Sequence, residues 1–248
     1  MALSVRQKVT IILLLFYWPA IFILAHIPIP RLVYKAQVSD KGIHFLAYLI
    51  LVFLLWFAIS PNKKVSWRKA AVWWVLLVVI WYGVFDEWLQ GYVGRNPDVM
   101  DFFADLAGAL TSLILLSVFP FWPASLALTG AVIFILTNFT RANLTDLLPV
   151  TTAVLHLLAY ALFSLLWTRY IHHCLPIKPP QPKWLIGALA LPIGLLSAVE
   201  LFSAVLGGGF SLLHTIISAV GIATVVITIC LIALFRRSFT QKLTPYDS

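Results

Sequence analysis

Stretches of about 20 mostly apolar residues recur along the whole chain, and a helix of that length crosses the hydrocarbon core of a bilayer. They fall near 9–27, 44–60, 70–89, 101–119, 123–139, 150–171, 184–206 and 211–235. Lipid offers backbone N–H and C=O groups no partners, so such runs fold as helices, which satisfy those groups internally. The pattern predicts an all-α, polytopic membrane protein with eight transmembrane helices. Composition excludes the main alternative: mean hydropathy is +0.98 and only 10% of residues are charged, far from an ordinary soluble domain. The first run follows Arg6 and Lys8, as the apolar part of a signal peptide would. It is too long for that role and lacks a small-x-small cleavage site, so it reads as a membrane helix that is retained.

Lysine and arginine set the orientation. With eight spans both termini lie on one side, and placing them in the cytoplasm leaves Arg31, Lys35, Lys41, Arg95 and Arg141 outside. The other 12 of the 17 basic residues are then inside, as the positive-inside rule requires, giving an N-in/C-in arrangement. The net charge of +8 thus orients the protein and meets anionic membrane lipid; no nucleic acid is needed as a partner. All acidic residues except Asp247 fall at outer loops or outer helix ends. Cys174 and Cys230 fall near the inner side and suggest neither a disulfide framework nor a metal site.

The chain also repeats itself. "HFLAYLILVFLL" (44–55) matches "HLLAYALFSLLW" (156–167) at an offset of 112. Farther on the offset is 113, pairing Glu87 with Glu200, Asp101 with His214, Asp105 with Ser218 and Gly108 with Gly221. Four helices per half is an even number, so both halves insert the same way up. The expectation is two parallel four-helix repeats, 1–120 and 121–248, related by a pseudo-two-fold axis along the membrane normal. The second repeat is degenerate. Thr152 and Ala153 stand where the first has Asp40 and Lys41, Ser203 where it has Gln90, and Gly208 where it has Arg95.

Five of the nine acidic residues lie in one stretch between two apolar runs, "WYGVFDEWLQGYVGRNPDVMDFFADLAG" (81–108). Glu87 and Gln90 are three apart and share a helix face. "GRNPD" reads as a turn and helix start, with Asn96 capping, Pro97 at the first helical position, and Asp98 and Asp101 in the first turn, where the helix dipole favours negative charge. Asp101, Asp105 and Gly108 form one stripe, and a glycine there lets a neighbouring helix come close. His44 and Tyr48 are one turn apart at the outer start of the second helix, with Lys41 just above. Ionisable groups beside hydrocarbon must pair or reach water, so these residues are expected to turn inward onto one polar pocket near the outer face. The plainer alternative is structural: Arg95 and Lys41 would neutralise Glu87 and Asp101 and pin the loop. In the second half the candidate counterparts are His156, Tyr160, Glu200 and His214. For His156 the plain reading is a hydrogen bond to a neighbouring helix.

The residues "SDKGIHFLAYLILVFLL" followed by "YGVFDEWLQGYVGRNPDVMDFFADLAGAL" resemble the VanZ-like family, named for a teicoplanin resistance protein. Its pattern of Asp-Lys-x-x-His-Phe-x-x-Tyr, then Asp-Glu-x-x-Gln, Arg, Asp and a closing Gly falls here on Asp40, Lys41, His44, Phe45, Tyr48, Asp86, Glu87, Gln90, Arg95, Asp101 and Gly108. The family often has Asn where Asp105 stands. The resemblance covers residues 1–120 well and the rest only as a weaker second copy. It implies a multi-pass protein of the bacterial cytoplasmic membrane that lowers sensitivity to a lipidated glycopeptide, and it supplies no reaction, cofactor or oligomeric state.

The leading expectation is therefore a pocket of Lys41, His44, Tyr48, Glu87, Gln90, Arg95, Asp101 and Asp105 that binds an envelope lipid, a lipid-linked precursor or a lipoglycopeptide. The alternative is an enzyme in which Glu87, Asp101 and His44 do acid–base work on a lipid-linked substrate. A divalent metal held by His44 and the carboxylates is one variant of it, although the spacing fits no metal-ligand signature. A lipid transporter and a non-catalytic subunit of an envelope assembly complete the set. Charge at one surface rather than at the midplane argues against a conduction path.

Overall fold

The structure is a computed structural model that describes residues 3–26, 40–60, 63–93, 97–139, 149–205 and 211–243. Among these residues the chain forms eight helices and no strand. They are α1 (Val5–His26), α2 (Asp40–Ile59), α3 (Ala70–Gln90), α4 (Val99–Val118), α5 (Phe121–Phe139), α6 (Pro149–Cys174), α7 (Pro182–Val205) and α8 (Leu212–Leu243). All eight are long and apolar enough to cross a membrane. Each apolar run of the sequence has become one helix, because in lipid the intrahelical hydrogen bond is the local solution for every backbone group. α8 continues past its apolar run to Leu243, since extending an existing helix is far easier than starting one.

Large apolar side chains remain on the outside. Trp73, Trp74, Trp81, Phe85 and Trp88 of α3 are exposed, as are Leu15 and Phe16 of α1. On a soluble protein such a surface would be sticky; on a membrane protein it faces acyl chains. The chain is a multi-pass membrane protein.

It divides into two compact units, 1–124 and 125–248. In the first, α2 is the central helix and packs most extensively on α4. Leu51, Val52 and Trp56 of α2, Val72, Val75 and Val79 of α3, and Ala109, Leu113 and Leu116 of α4 are buried in its core. Helices gain little from the hydrophobic effect inside lipid, so close packing must supply the attraction. Gly108 makes it possible here. A Cβ at Gly108 would collide with the carbonyl oxygen of Phe45 and stand 3.1 Å from the backbone nitrogen of Leu49.

In the second unit α6 packs most extensively on α8. Leu126 and Ile133 of α5, Tyr160 and Phe163 of α6, Leu196 and Val199 of α7 and Ile222 of α8 form one cluster. Ile171, Trp184, Ala188 and Val226 form another. Gly221 has the place of Gly108: its Cβ would stand 2.6 Å from the carbonyl oxygen of Leu157 and 3.4 Å from the nitrogen of Ala161.

Candidate polar site of the first unit

α3 and α4 are joined by a short connection, so the end of one adjoins the start of the other. There α3 carries Asp86, Glu87 and Gln90 in its last turn, and α4 carries Asp101 and Asp105 in its first two turns. All five are buried, as are His44 and Tyr48 of α2. α4 starts two residues later than the sequence suggests. Asp98, expected in the first turn, is instead the N-cap, its carboxylate accepting a hydrogen bond of 2.9 Å from the Met100 N–H. An aspartate with extended backbone just before a helix can satisfy one of the helix's orphan N–H groups, so it displaces the proline-first start that the sequence suggested. Asn96 lies outside the described residues.

The second link across the turn is Glu87, whose Oε2 accepts the Asp98 backbone N–H at 2.9 Å. Gln90 Nε2 donates to Asp86 Oδ2 at 3.0 Å, four residues back on the same face. The α2 side closes on α4. His44 Nδ1 lies 2.9 Å from Asp105 Oδ1, and His44 Nε2 lies 3.9 Å from Asp101 Oδ2. Lys41 Nζ donates to Asp98 Oδ2 at 2.8 Å and lies 3.5 Å from Asp101 Oδ1. Beside the helix ends, that ammonium holds the Asp98 carboxyl below the usual carboxylate range, and the Met100 N–H acts in the same direction.

Oxygens are left over. Among the described residues, Glu87 Oε1, Asp105 Oδ2 and the Tyr48 hydroxyl are buried without a hydrogen-bond partner. Gly83 makes room for two of them, since Asp105 Oδ2 and the Tyr48 hydroxyl each lie 3.5 Å from where its Cβ would be. Atoms of His44, Glu87 and Asp105 stand within 4.8 Å of one another. Chemically, the arrangement is a set of hydrogen-bond acceptors held in place by their other contacts.

Of the sequence candidates, the structure brings Lys41, His44, Glu87, Asp101 and Asp105 together, with Tyr48 beside them. Gln90 is adjacent but committed to Asp86. Arg95 lies outside the described residues, and so does its expected contact with Glu87 or Asp101. Two residues were missed as site candidates. Asp86 is 2% exposed and lies 3.7 Å from the Nδ1 of His26, which arrives from the end of α1. The signals were there: Asp86 sits four before Gln90, and a histidine inside an apolar run needs a partner.

In the second unit the counterparts meet differently. His156 Nδ1 lies 3.2 Å from the Ser218 hydroxyl, a contact between neighbouring helices that matches the plain reading. The rings of His156 and His214 stack at 4.8 Å. Tyr160 is fully buried in the core cluster, and Glu200 accepts a hydrogen bond of 2.9 Å from Thr215.

Residues 3–120 match the VanZ/LLP1 family model. No curated protein and no solved structure matches the chain.

Proposed function

The chain is a VanZ-like membrane protein, its family domain lying in residues 3–120, and from that premise we propose that it acts in the cytoplasmic membrane of a bacterium by holding the polar part of an amphiphile at the polar end of its first unit. The amphiphile is an envelope lipid, a lipid-linked precursor or a lipoglycopeptide, and the physiological effect is reduced sensitivity to lipidated glycopeptides. One observation carries the reading: among the described residues, buried carboxylate oxygens of Glu87 and Asp105 are left without partners where three helix ends meet. A buried acceptor left unmade costs about 1–3 kcal/mol, which a ligand's hydroxyl or ammonium donors would recover. A headgroup fits that demand, because its acyl chains can stay in the lipid beside the helices.

The second half completes the proposal as a degenerate copy of the first. His156–Ser218 and Gly221–Leu157 reproduce the positions of His44–Asp105 and Gly108–Phe45 at the offsets found in the sequence. With Ser218 and His214 where the first half has Asp105 and Asp101, and Glu200 as its one remaining counterpart carboxylate, it serves as scaffold. By the positive-inside rule the polar end faces outward, where such amphiphiles are met.

The test is expression in a glycopeptide-sensitive host. The protein should raise the inhibitory concentration of teicoplanin but not that of a glycopeptide without an acyl chain. Glu87→Gln, checked for normal membrane abundance, should abolish the increase. No protection by the parent, or equal protection by the variant, would overturn the proposal.

A further inference from the structure

A carboxylate cluster at a helix end is commonly just solvated, but here two features go further. Glu87 is 8% exposed and Asp105 1%. Each is anchored through one oxygen, Glu87 by the Asp98 N–H and Asp105 by His44. The other oxygen of each, Glu87 Oε1 and Asp105 Oδ2, has no hydrogen-bond partner among the described residues. Two fixed, buried oxygen donors beside an imidazole make a mixed ligand set drawn from three different helices.

We propose that His44, Glu87 and Asp105 bind a divalent transition-metal ion, Zn²⁺ or Mn²⁺. The chemistry of the donors selects this class. Imidazole suits zinc and its first-row neighbours, and carboxylates extend the range to manganese. Calcium takes roughly 6–8 oxygens and magnesium favours a mostly hydrated octahedron, so neither uses this histidine. Size agrees. Three ligands spaced evenly at about 2.0–2.2 Å from one ion lie at most about 3.8 Å from one another, and the three donors already lie within 4.8 Å. A closure of about 1 Å completes the triangle, which is within the reach of side-chain rotation. Three protein ligands leave a position for water or for an oxygen of a bound molecule. The ring nitrogen that faces Asp105 is Nδ1, 2.9 Å from Oδ1, so an ion shared by the two residues takes the place of the proton in that hydrogen bond. This inference does not depend on the headgroup proposal, since an ion could bind there with or without an amphiphile.

The experiment uses the full chain purified in detergent, stripped with chelator and titrated with Mn²⁺, free ion being read by electron paramagnetic resonance. The parent should take up about one ion per chain, displaced by Zn²⁺. Glu87→Gln and Asp105→Asn should each weaken uptake by about 10–100-fold or more, the range seen even for outer-shell changes. His173→Gln, at an exposed histidine of the second unit, should leave it unchanged. Pulsed measurements on the parent alone should show a nitrogen coupled to Mn²⁺, so the test survives if a variant fails to fold. No stoichiometric uptake, no coupled nitrogen, or unaltered uptake in both folded variants would overturn the site. None of these readouts involves antibiotic sensitivity or lipid, so failure here leaves the headgroup proposal standing.

Discussion

The two units use one device for packing and different devices for polar chemistry. In each, a glycine on the last helix of the pair lets a backbone carbonyl of the facing helix come close, Gly108 against Phe45 and Gly221 against Leu157. In each, a histidine one residue before that carbonyl's residue reaches the partner helix, three residues before the glycine. Only the acceptor differs: Asp105 in the first unit, Ser218 in the second. Helix contact and polar function are thus separable. Dispersion at close range holds the helices whether or not a charge lies beside the contact, so a unit can make the same contact with a serine as with a carboxylate next to it.

The comparison breaks most severely at the glycines. Gly108→Ala drives a methyl group into backbone that has no rotamer to escape to, and should cost about 3 kcal/mol or more, the upper end for overpacking. Gly221→Ala meets a more distant carbonyl and should cost about 1–2 kcal/mol on the same scale. Thermal unfolding in detergent should rank them in that order. Equal shifts would mean that the two contacts are not built alike.

Exchanging the acceptors comes next. Ser218→Asp buries a carboxylate in the second unit, and should cost about 1–3 kcal/mol if His156 does not fully compensate it. Asp105→Ser gives the first unit the chemistry of the second. It keeps a hydroxyl for His44, so it should shift stability by about 1 kcal/mol or less while abolishing both metal uptake and protection against teicoplanin. A large loss of stability in that variant, with function lost in proportion, would instead make Asp105 a structural residue.

A smaller effect is expected at Ser218→Ala, which removes one neutral hydrogen bond worth about 1 kcal/mol. Its melting temperature should fall slightly and protection should be unaltered.

The smallest concerns Asp98. Asn caps a helix as well as Asp does, so Asp98→Asn keeps the bond to Met100 and removes only the charge facing Lys41. The folded-state pKa of Asp98 is depressed, so its ion pair contributes stability above the ordinary aspartate value of about 3.9 and loses it as pH falls through the folded value. Parent and variant should differ a little in melting temperature at pH 7 and converge only once the pH falls below the depressed folded-state value of Asp98. A gap that widens on acidification would show the sign to be wrong.

Sequence alone determined the number and kind of elements. Eight apolar runs of spanning length admit hardly any fold but eight helices, because lipid punishes every other backbone arrangement. It also marked most of the polar site: His44, Glu87, Asp101 and Asp105 were legible because ionisable residues are rare near hydrocarbon and helical spacing puts them on shared faces. Which partner each one takes was not legible. Asp98 could sit in the first turn or cap it, and only the path of the chain after Pro97 decided for the cap. Lys41 could reach Glu87, yet it lies with Asp98 and Asp101. His26 and Asp86 are 60 residues apart in sequence and meet only because α1 ends beside α3. Local periodicity fixes a residue's face but not the neighbour it meets there. That is decided by how closely two helices approach, and in the first unit a single missing side chain at Gly108 sets the distance that brings His44 within hydrogen-bonding reach of Asp105.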